Sequence, residues 1–367
     1  MRFLVTWVWI MPLNFLSLRH FRNHGDSQLH GLARFNVLTG DNGAGKTNIL
    51  EAISLLAPGR GMRRASLSEM GAMQGPGGFA VSADLGDMKI GTGVTADMPE
   101  RRKVRVNGAA ASANSLAEWL SIIWLTPAMD RLFMESAGGR RQFVDRLVLA
   151  VDPLHARHAS QYELAVRERN RLLADDIMPD PAWLDAVEAR MAEYGALVAA
   201  SRVAMIQQLN DVLDSETDKV FARPILALAR GEQDMADNML ETWRNARPRD
   251  RQAKRTLDGP HRDDLIVTMR QKGQAAALCS TGEQKAMLIA IILAHSDLVA
   301  SLKSNAPVLL LDEIAAHLDP VRRGVLYDRL SERAGQVWMT GTDRALFSGI
   351  TSPRHFTVCG GAVHSDN

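Results

Sequence analysis

Gly40-Asp41-Asn42-Gly43-Ala44-Gly45-Lys46-Thr47 carries the spacing G-x-x-x-x-G-K-[ST]. Glycines there let the backbone wrap a phosphate with its N–H groups; Lys46 can reach β- and γ-phosphate oxygens, and the Thr47 hydroxyl suits Mg²⁺. A second group follows the apolar run Val308-Leu309-Leu310-Leu311, which ends in Asp312-Glu313. An acid at the carboxyl end of a buried strand lies where a phosphate loop also opens, so Asp312 can hold Mg²⁺ through water and Glu313 can polarise an attacking water. Alone, such a run also reads as a strand end before a helix cap; the phosphate loop is what gives it chemistry. The third group, Ser280-Thr281-Gly282-Glu283-Gln284-Lys285, opens an apolar helix. It reads as a capping box and equally as a helix N-terminus whose free N–H groups can receive a γ-phosphate held elsewhere.

These groups require elements to position them. Asn36-Val37-Leu38-Thr39 reads as a strand entering the glycine loop, and Asn48 to Leu56 as the helix leaving it. Phe79-Ala80-Val81 and Lys103-Val104-Arg105-Val106 alternate as strands, with Asn107-Gly108 as a hairpin turn, so a small antiparallel sheet is expected. The text from about Ser115 to Arg255 is helical. Asp180 caps and Pro181 opens a helix over 181–213, where Leu184, Val187, Met191, Tyr194, Val198, Met205, Leu209 and Val212 recur every three or four residues. A helix over 154–173 carries Arg157, Arg167, Arg169 and Arg171. Beyond Thr256 come helix 282–298, strand 308–311, helix 320–333 and strand 336–340. The strand before the glycine loop and the apolar strand belong in one central sheet with helices between them. The expected fold is therefore α/β: an ATPase lobe in two pieces, 1–114 and 256–367, interrupted by a mainly helical insertion, 115–255. No internal repeat or sustained heptad run occurs, which excludes a solenoid and a long coiled coil.

With 367 residues and 46% hydrophobic content the chain can bury a large core, which excludes disorder as its main state. Lys and Arg number 43 against 42 Asp and Glu, so no global basic coat exists and an anionic partner must be met by local patches. Arg244, Arg247, Arg249, Arg251, Lys254 and Arg255 form one cluster; Arg60, Arg63 and Arg64 form another. Each reads either as a salt-sensitive contact to DNA phosphates or as a solvated loop. Two cysteines, Cys279 and Cys359, fit a reducing compartment, and a cytoplasmic protein is expected. The run Phe3 to Phe15 is a poor signal peptide, broken by Trp7, Trp9 and Pro12, and translation from Met11 is an alternative to Met1. No stretch is expected to span a membrane. His155 and His158 lack further metal-ligand residues around them in sequence, and Cys279 reads as a packed thiol.

The phosphate loop, the Ser-x-Gly-x-Gln helix start, the Leu-Leu-Leu-Asp-Glu strand and Leu318-Asp319-Pro320 resemble, in that order, an ABC-type ATPase head of the SMC-like group. Within it the chain resembles the RecF family of bacterial recombination-repair proteins, over about residues 13–345. The closer likeness is carried by Leu18-Arg19-His20-Phe21-Arg22-Asn23, Asn36 to Asn48, Gly139-Arg140-Arg141-Gln142-Phe143-Val144-Asp145 and Asp258-Gly259-Pro260-His261-Arg262-Asp263-Asp264. The resemblance implies ATP sandwiched between two copies, with Ser280, Gly282 and Gln284 acting in trans and Asp319 contacting the partner's site. It implies that Arg22 and Asn23 approach the nucleotide and that a γ-phosphate sensor falls at Thr342. It further implies a weak, DNA-stimulated ATPase requiring Mg²⁺, which binds double-stranded and gapped DNA and acts with RecR and RecO to load recombinase. Three positions depart from the pattern: Thr342 stands where many heads have His, Ala316 where a Ser is usual, and no Gln is evident near Ile122-Ile123-Trp124-Leu125-Thr126-Pro127. The Asp258–Asp264 block has no assigned role and reads as a surface loop or a hinge. An ATP-binding transporter subunit and a small-molecule kinase are the alternatives from other classes.

Overall fold

β1 (Phe15–Phe21) buries Leu16, Leu18 and Phe21 and pairs antiparallel with β2 (His24–Leu29) on one side. On its other side it pairs with β4 (Gly78–Asp84), followed by β5 (Lys89–Thr95), β6 (Met98–Val106) and β7 (Ala109–Ala111), giving the order β2-β1-β4-β5-β6-β7. The β6–β7 turn takes φ of 49° at Asn107 and 83° at Gly108, the left-handed pair for which Asn-Gly is suited. This computed structural model describes residues 13–73, 75–177, 179–215, 221–229, 239–303, 307–332 and 335–366. The apolar run before Leu13, with the choice between Met1 and Met11, lies outside the described residues.

A second sheet holds β3 (Phe35–Thr39), β8 (Ile122–Leu125), β12 (Val308–Leu311), β13 (Gln336–Gly341), β14 (Arg354–Cys359) and β15 (Ala362–Ser365), in the order β15-β14-β3-β13-β12-β8. All neighbours are parallel except β15. Every residue of β3, β8, β12 and β13 is buried, the polar Asn36, Thr39, Gln336 and Thr340 included, as strands covered on both faces of a parallel sheet are. The strand before the glycine loop and the apolar strand thus share one sheet, with β13 between them. Helices α1 (Lys46–Ser54), α2 (Leu116–Trp119) and α8 (Pro320–Glu332) accompany these sheets. Arg102, half-buried, closes α1 by donating to the carbonyls of Leu55, Ala57 and Gly59, and desolvation lowers its guanidinium to about 10.

Chain contacts divide the molecule into two units. One holds the described residues up to Asp130, with Phe221 and those from Ile292 on; the other holds those from Arg131 to Ser215 and Ala222 to Ile291. The divisions differ from the expected 114/115 and 255/256 for reasons of strand pairing. Strand β8 hydrogen-bonds to β12 and so keeps residues 115–130 with the sheet that carries the glycine loop. Strands β9 (Pro224–Ala229) and β10 (Asp264–Met269), with β11 (Gln274–Ala275), form an antiparallel sheet that draws residues 256–291 into the helical unit.

That unit contains α3 (Ala137–Val151), α4 (His155–Ala174), α5 (Pro181–Ser215) and α6 (Met239–Gln252). α5 buries Leu184, Val187, Met191, Val198, Met205 and Leu209 of the expected stripe, leaving Tyr194 and Val212 half-buried, and packs with Tyr162, Val166 and Trp243. Arg169, one of the four arginines of α4, is fully buried. It donates to Glu188 (2.9 Å), Asp250 (2.6 Å), Thr256 Oγ1 (2.9 Å) and the Trp243 carbonyl (3.0 Å).

The Asp258–Asp264 block proves to be the hub of this unit rather than a surface loop. The Asp258 carbonyl accepts from Trp243 Nε1 (2.8 Å), and Arg202 donates to the Pro260 carbonyl (2.6 Å), Asp263 (3.1 Å) and Asp145 (2.8 and 2.9 Å). Arg140 grips Asp264 with two bonds of 2.7 Å. Gly259, at φ 137°, lets Tyr162 pass so close that a Cβ would lie 2.5 Å from its hydroxyl.

α7 (Thr281–Leu302) crosses the division between the units. Contrary to expectation, it is long and apolar enough to cross a bilayer by composition alone, but Ala286–Ala294 are buried within the protein, so core packing accounts for its hydropathy.

Candidate functional site

The glycine loop leaves β3 at Thr39 and enters α1 at Gly45, the helix N-cap. Gly40, Gly43 and Gly45 stand at φ 147°, 81° and 117°, which side-chain-bearing residues rarely adopt. A Cβ on Gly40 would strike the Val358 carbonyl oxygen, and one on Gly45 would lie 2.7 Å from Asn23 Oδ1. Lys46 is buried, its ammonium donating to the carbonyls of Gly40 (2.7 Å) and Asp41 (2.9 Å), contacts that phosphate oxygens can replace.

Across the carboxyl ends of the central strands a chain of hydroxyls joins the loop to the acidic pair. Thr47 Oγ1 donates to Asp312 Oδ1 (2.9 Å), Thr340 Oγ1 donates to the same oxygen (2.8 Å), and the Glu313 N–H donates to Thr340 Oγ1 (2.8 Å). The register sets this up, because Leu311 pairs with Met339 and so places Thr340 beside Asp312. Burial pushes the Asp312 carboxyl up, while the two hydroxyls pull it down. Glu313 is held at φ 53°, a left-handed conformation costing roughly 1–3 kcal/mol for such a residue. A buried carboxylate beside a threonine hydroxyl is a hard-oxygen pair of the kind that suits Mg²⁺.

Thr342, the expected γ-phosphate sensor, is exposed beyond the end of β13, and Thr340 two positions before it is the residue bound to the acidic pair. At the edge of the site the Asp312 N–H donates to the Leu125 carbonyl (2.9 Å), and the next residue, where a Gln is absent, is the buried Thr126.

Arg22 and Asn23 lie in the β1–β2 turn. Asn23 supports the loop, donating to the Ala44 carbonyl (2.9 Å) and accepting from Asn48 (2.8 Å). Arg22 is bound to buried Glu51 by two bonds (2.9 and 2.7 Å) and to the Glu69 carbonyl (2.8 Å). Arg63 joins the same carboxylate (3.2 Å) and Asn48 (2.7 Å).

In the other unit, Ser280 and Gly282 are exposed at the start of α7. Ser280 accepts from the Glu283 N–H (3.4 Å), and both its N–H and its hydroxyl donate to Glu283 (3.0 Å each), a complete capping box. Lys272 beside it (2.5 Å), together with these donors, draws the Glu283 carboxyl down to about 2. Gln284 is buried and donates to its own neighbour's carbonyl, Cys279 (2.9 Å). The Cys279 thiol is raised by burial. In the first unit, exposed Asp319 caps α8 through the Arg322 N–H (2.9 Å).

Four of the six residues in the basic cluster at the end of α6 are engaged within the protein, three of them in ion pairs. Arg247 binds Asp185 and Glu188 (2.6 Å each), Arg244 binds Asp185 (3.0 Å), Arg249 pairs with Asp258, and Arg251 donates to the carbonyls of Asp175 (3.0 Å) and Asp176 (3.2 Å). Lys254, Arg255 and Arg64 are exposed. His155 Nε2 meets Asp145 (2.9 Å), a carboxylate ten residues away that only the fold brings to it.

The family model for the RecF/RecN/SMC N-terminal domain matches residues 12–357. The chain is 48% identical over 356 residues to the DNA replication and repair protein RecF of Brucella suis biovar 1 (strain 1330), covering 93% of this chain and 92% of that protein. To the protein of the same name from Rhizobium rhizogenes (strain K84 / ATCC BAA-868) it is 47% identical, covering 95% and 97%. Among solved structures, the recombination mediator protein RecF with ATP in the RecFOR pathway superposes with a TM-score of 0.84 at 23% identity, covering 98% of both chains. The Smc head domain of Pyrococcus furiosus, bound to the C-terminal domain of ScpA, superposes at 0.54 with 15% identity, covering 96% of this chain and 95% of that one.

Proposed function

Given that this chain belongs to the RecF family of DNA replication and repair proteins, we propose that it is an ATP-driven clamp for duplex DNA beside single-strand gaps. The observation that carries this reading is the hydroxyl chain Thr47–Asp312–Thr340–Glu313, set at the carboxyl ends of the parallel strands below a phosphate loop. ATP lies along Gly40–Thr47, and Lys46 leaves the loop carbonyls for the phosphate oxygens. Thr47 and Asp312 would hold Mg²⁺, which would offset the charge developing on the phosphates. Glu313 orients the attacking water, with its backbone fixed on Thr340. The loop residues Gly40, Asp41, Asn42, Gly43, Ala44 and Gly45 supply N–H groups, and Asn23 keeps their shape.

Ser280 and Gly282 of a second copy cap the γ-phosphate from the exposed start of α7, Gln284 braces that start from within, and Asp319 meets the partner near it. Two copies joined by two nucleotides double the phosphate contacts to DNA, which is avidity, and slow hydrolysis releases them. In this role the protein acts with RecR and RecO to load recombinase. The solved relative is described as a recombination mediator in the RecFOR pathway, which supports that assignment. The test is retention of duplex DNA with ATP, with ADP and without nucleotide: retention is expected only with ATP, and equal retention in all three states refutes the clamp.

A further inference from the structure

The β14–β15 turn and the β1–β2 hairpin both reach the phosphate loop. The Gly361 N–H donates to the Ala44 carbonyl (3.0 Å), and Gly361 packs so closely on Asn23 that a Cβ would overlap its carbonyl oxygen. Between them lies His24, fully buried, with Nε2 3.1 Å from the Gly45 carbonyl and Nδ1 2.9 Å from Ser27 Oγ. Ser27 Oγ also lies 3.0 Å from the Gly361 carbonyl.

Counting protons through these contacts gives an asymmetric answer. A carbonyl only accepts, so Nε2 carries a proton. In the neutral ring Nδ1 is then a bare acceptor, and the single Ser27 proton must choose between Nδ1 and the Gly361 carbonyl, leaving one contact without a hydrogen. In the imidazolium Nδ1–H donates to Ser27 and Ser27 donates to Gly361, so all three contacts are made. Opposing this, burial holds the ring's affinity for a proton below that of free imidazole, while the Gly45 and Gly361 carbonyls raise it.

We propose that His24 is a positioning residue that fixes Gly45 of the phosphate loop and takes up a proton when a nucleoside triphosphate binds. The inference rests on the nucleotide site proposed above. The charged or titratable groups on the surrounding elements are Arg19, His20 and Arg22 on β1 and its turn, Asp26 on β2, Asp41 and Lys46 at the loop, Glu51 on α1, Arg354, His355 and Cys359 on β14, and His364 on β15. Among the described residues none of these hydrogen-bonds the ring. The bound polyphosphate adds several negative charges at the loop whose Gly45 carbonyl the ring holds. That change favours the cationic ring, whose three bonds then hold the loop shut around the phosphates.

Calorimetric titration of the full-length protein with a non-hydrolysable ATP analogue, in buffers of differing ionisation enthalpy at mildly alkaline pH, counts the protons. The wild type is expected to take up protons relative to His24→Gln, and its affinity to strengthen toward acid by at most about tenfold per pH unit, the slope of one proton. In His24→Gln, whose amide can serve both Gly45 and Ser27, that slope is absent. Ser27→Ala keeps the ring but removes its acceptor, so uptake falls toward zero while alkaline affinity changes little. Wild-type binding with the same proton count as His24→Gln, or undiminished uptake in Ser27→Ala, overturns the inference and leaves the nucleotide site standing. Failure of the wild type to bind the analogue at all overturns both.

Discussion

Thr340 occupies a position at which one hydroxyl does two things: it donates to Asp312 and accepts from the Glu313 N–H. Thr340→Val keeps the shape and removes both bonds, freeing the Glu313 backbone from its left-handed conformation. Single-turnover hydrolysis should fall by about 10²–10³-fold, the range for losing one preorganising donor, with nucleotide affinity little changed. Gly40→Ala tests the loop itself. Its Cβ meets the Val358 carbonyl, so nucleotide binding should be lost, and chemical denaturation should show a cost of roughly 1–3 kcal/mol. The loop was legible in the sequence because its chemistry is contiguous: glycines, lysine and threonine stand side by side. Thr340 was not, since its role depends on which residue of β13 lies level with Asp312, and neighbouring Thr342 offered the same side chain two positions on.

At the scale of elements, helical periodicity located α5 and α4 to within two residues at each end, because a buried stripe recurs over many turns. Strands β9 and β10 escaped, being short and paired across the helical text, and with them the reason residues 256–291 join the helical unit. The burial of Arg169 and the hub role of Asp258–Asp264 escaped likewise, since isolated charges look solvated until their partners are folded against them. This hub is acid-sensitive. The His261 Nε2–H donates to the Thr256 carbonyl (3.1 Å) and Nδ1 accepts from the Tyr162 hydroxyl (2.8 Å), so the ring is neutral, and burial lowers it from 6.5 to about 4. The unfolded chain therefore binds the extra proton first. Stability is full above pH 6.5 and declines as pH falls toward 4, by up to about 3 kcal/mol, a slope that denaturant titrations should find reduced in His261→Gln.

The basic cluster separates in the same manner. Arg247→Ala takes a partner from buried Glu188 and should cost about 1–3 kcal/mol of stability. Lys254→Ala with Arg255→Ala should leave folding intact while lowering the salt dependence of DNA affinity by about one unit of slope per lost phosphate contact.

For the molecule as a whole, net charge is near zero and the start of α7 closes its capping box with its own Glu283, so nucleotide is what joins two copies in this account. Motif order was enough to place the chain in its family, because four motifs in sequence constrain one arrangement of strands and loops, whereas assembly leaves no such trace in local spacing. The most direct measurement is the mass of the protein in solution with saturating ATP, for the wild type and for Ser280→Arg. The wild type should double its mass, and Ser280→Arg should bind ATP yet remain at the mass of one chain. A wild type that stays single at saturating ATP, or a Ser280→Arg variant that pairs as readily as the wild type, contradicts the account.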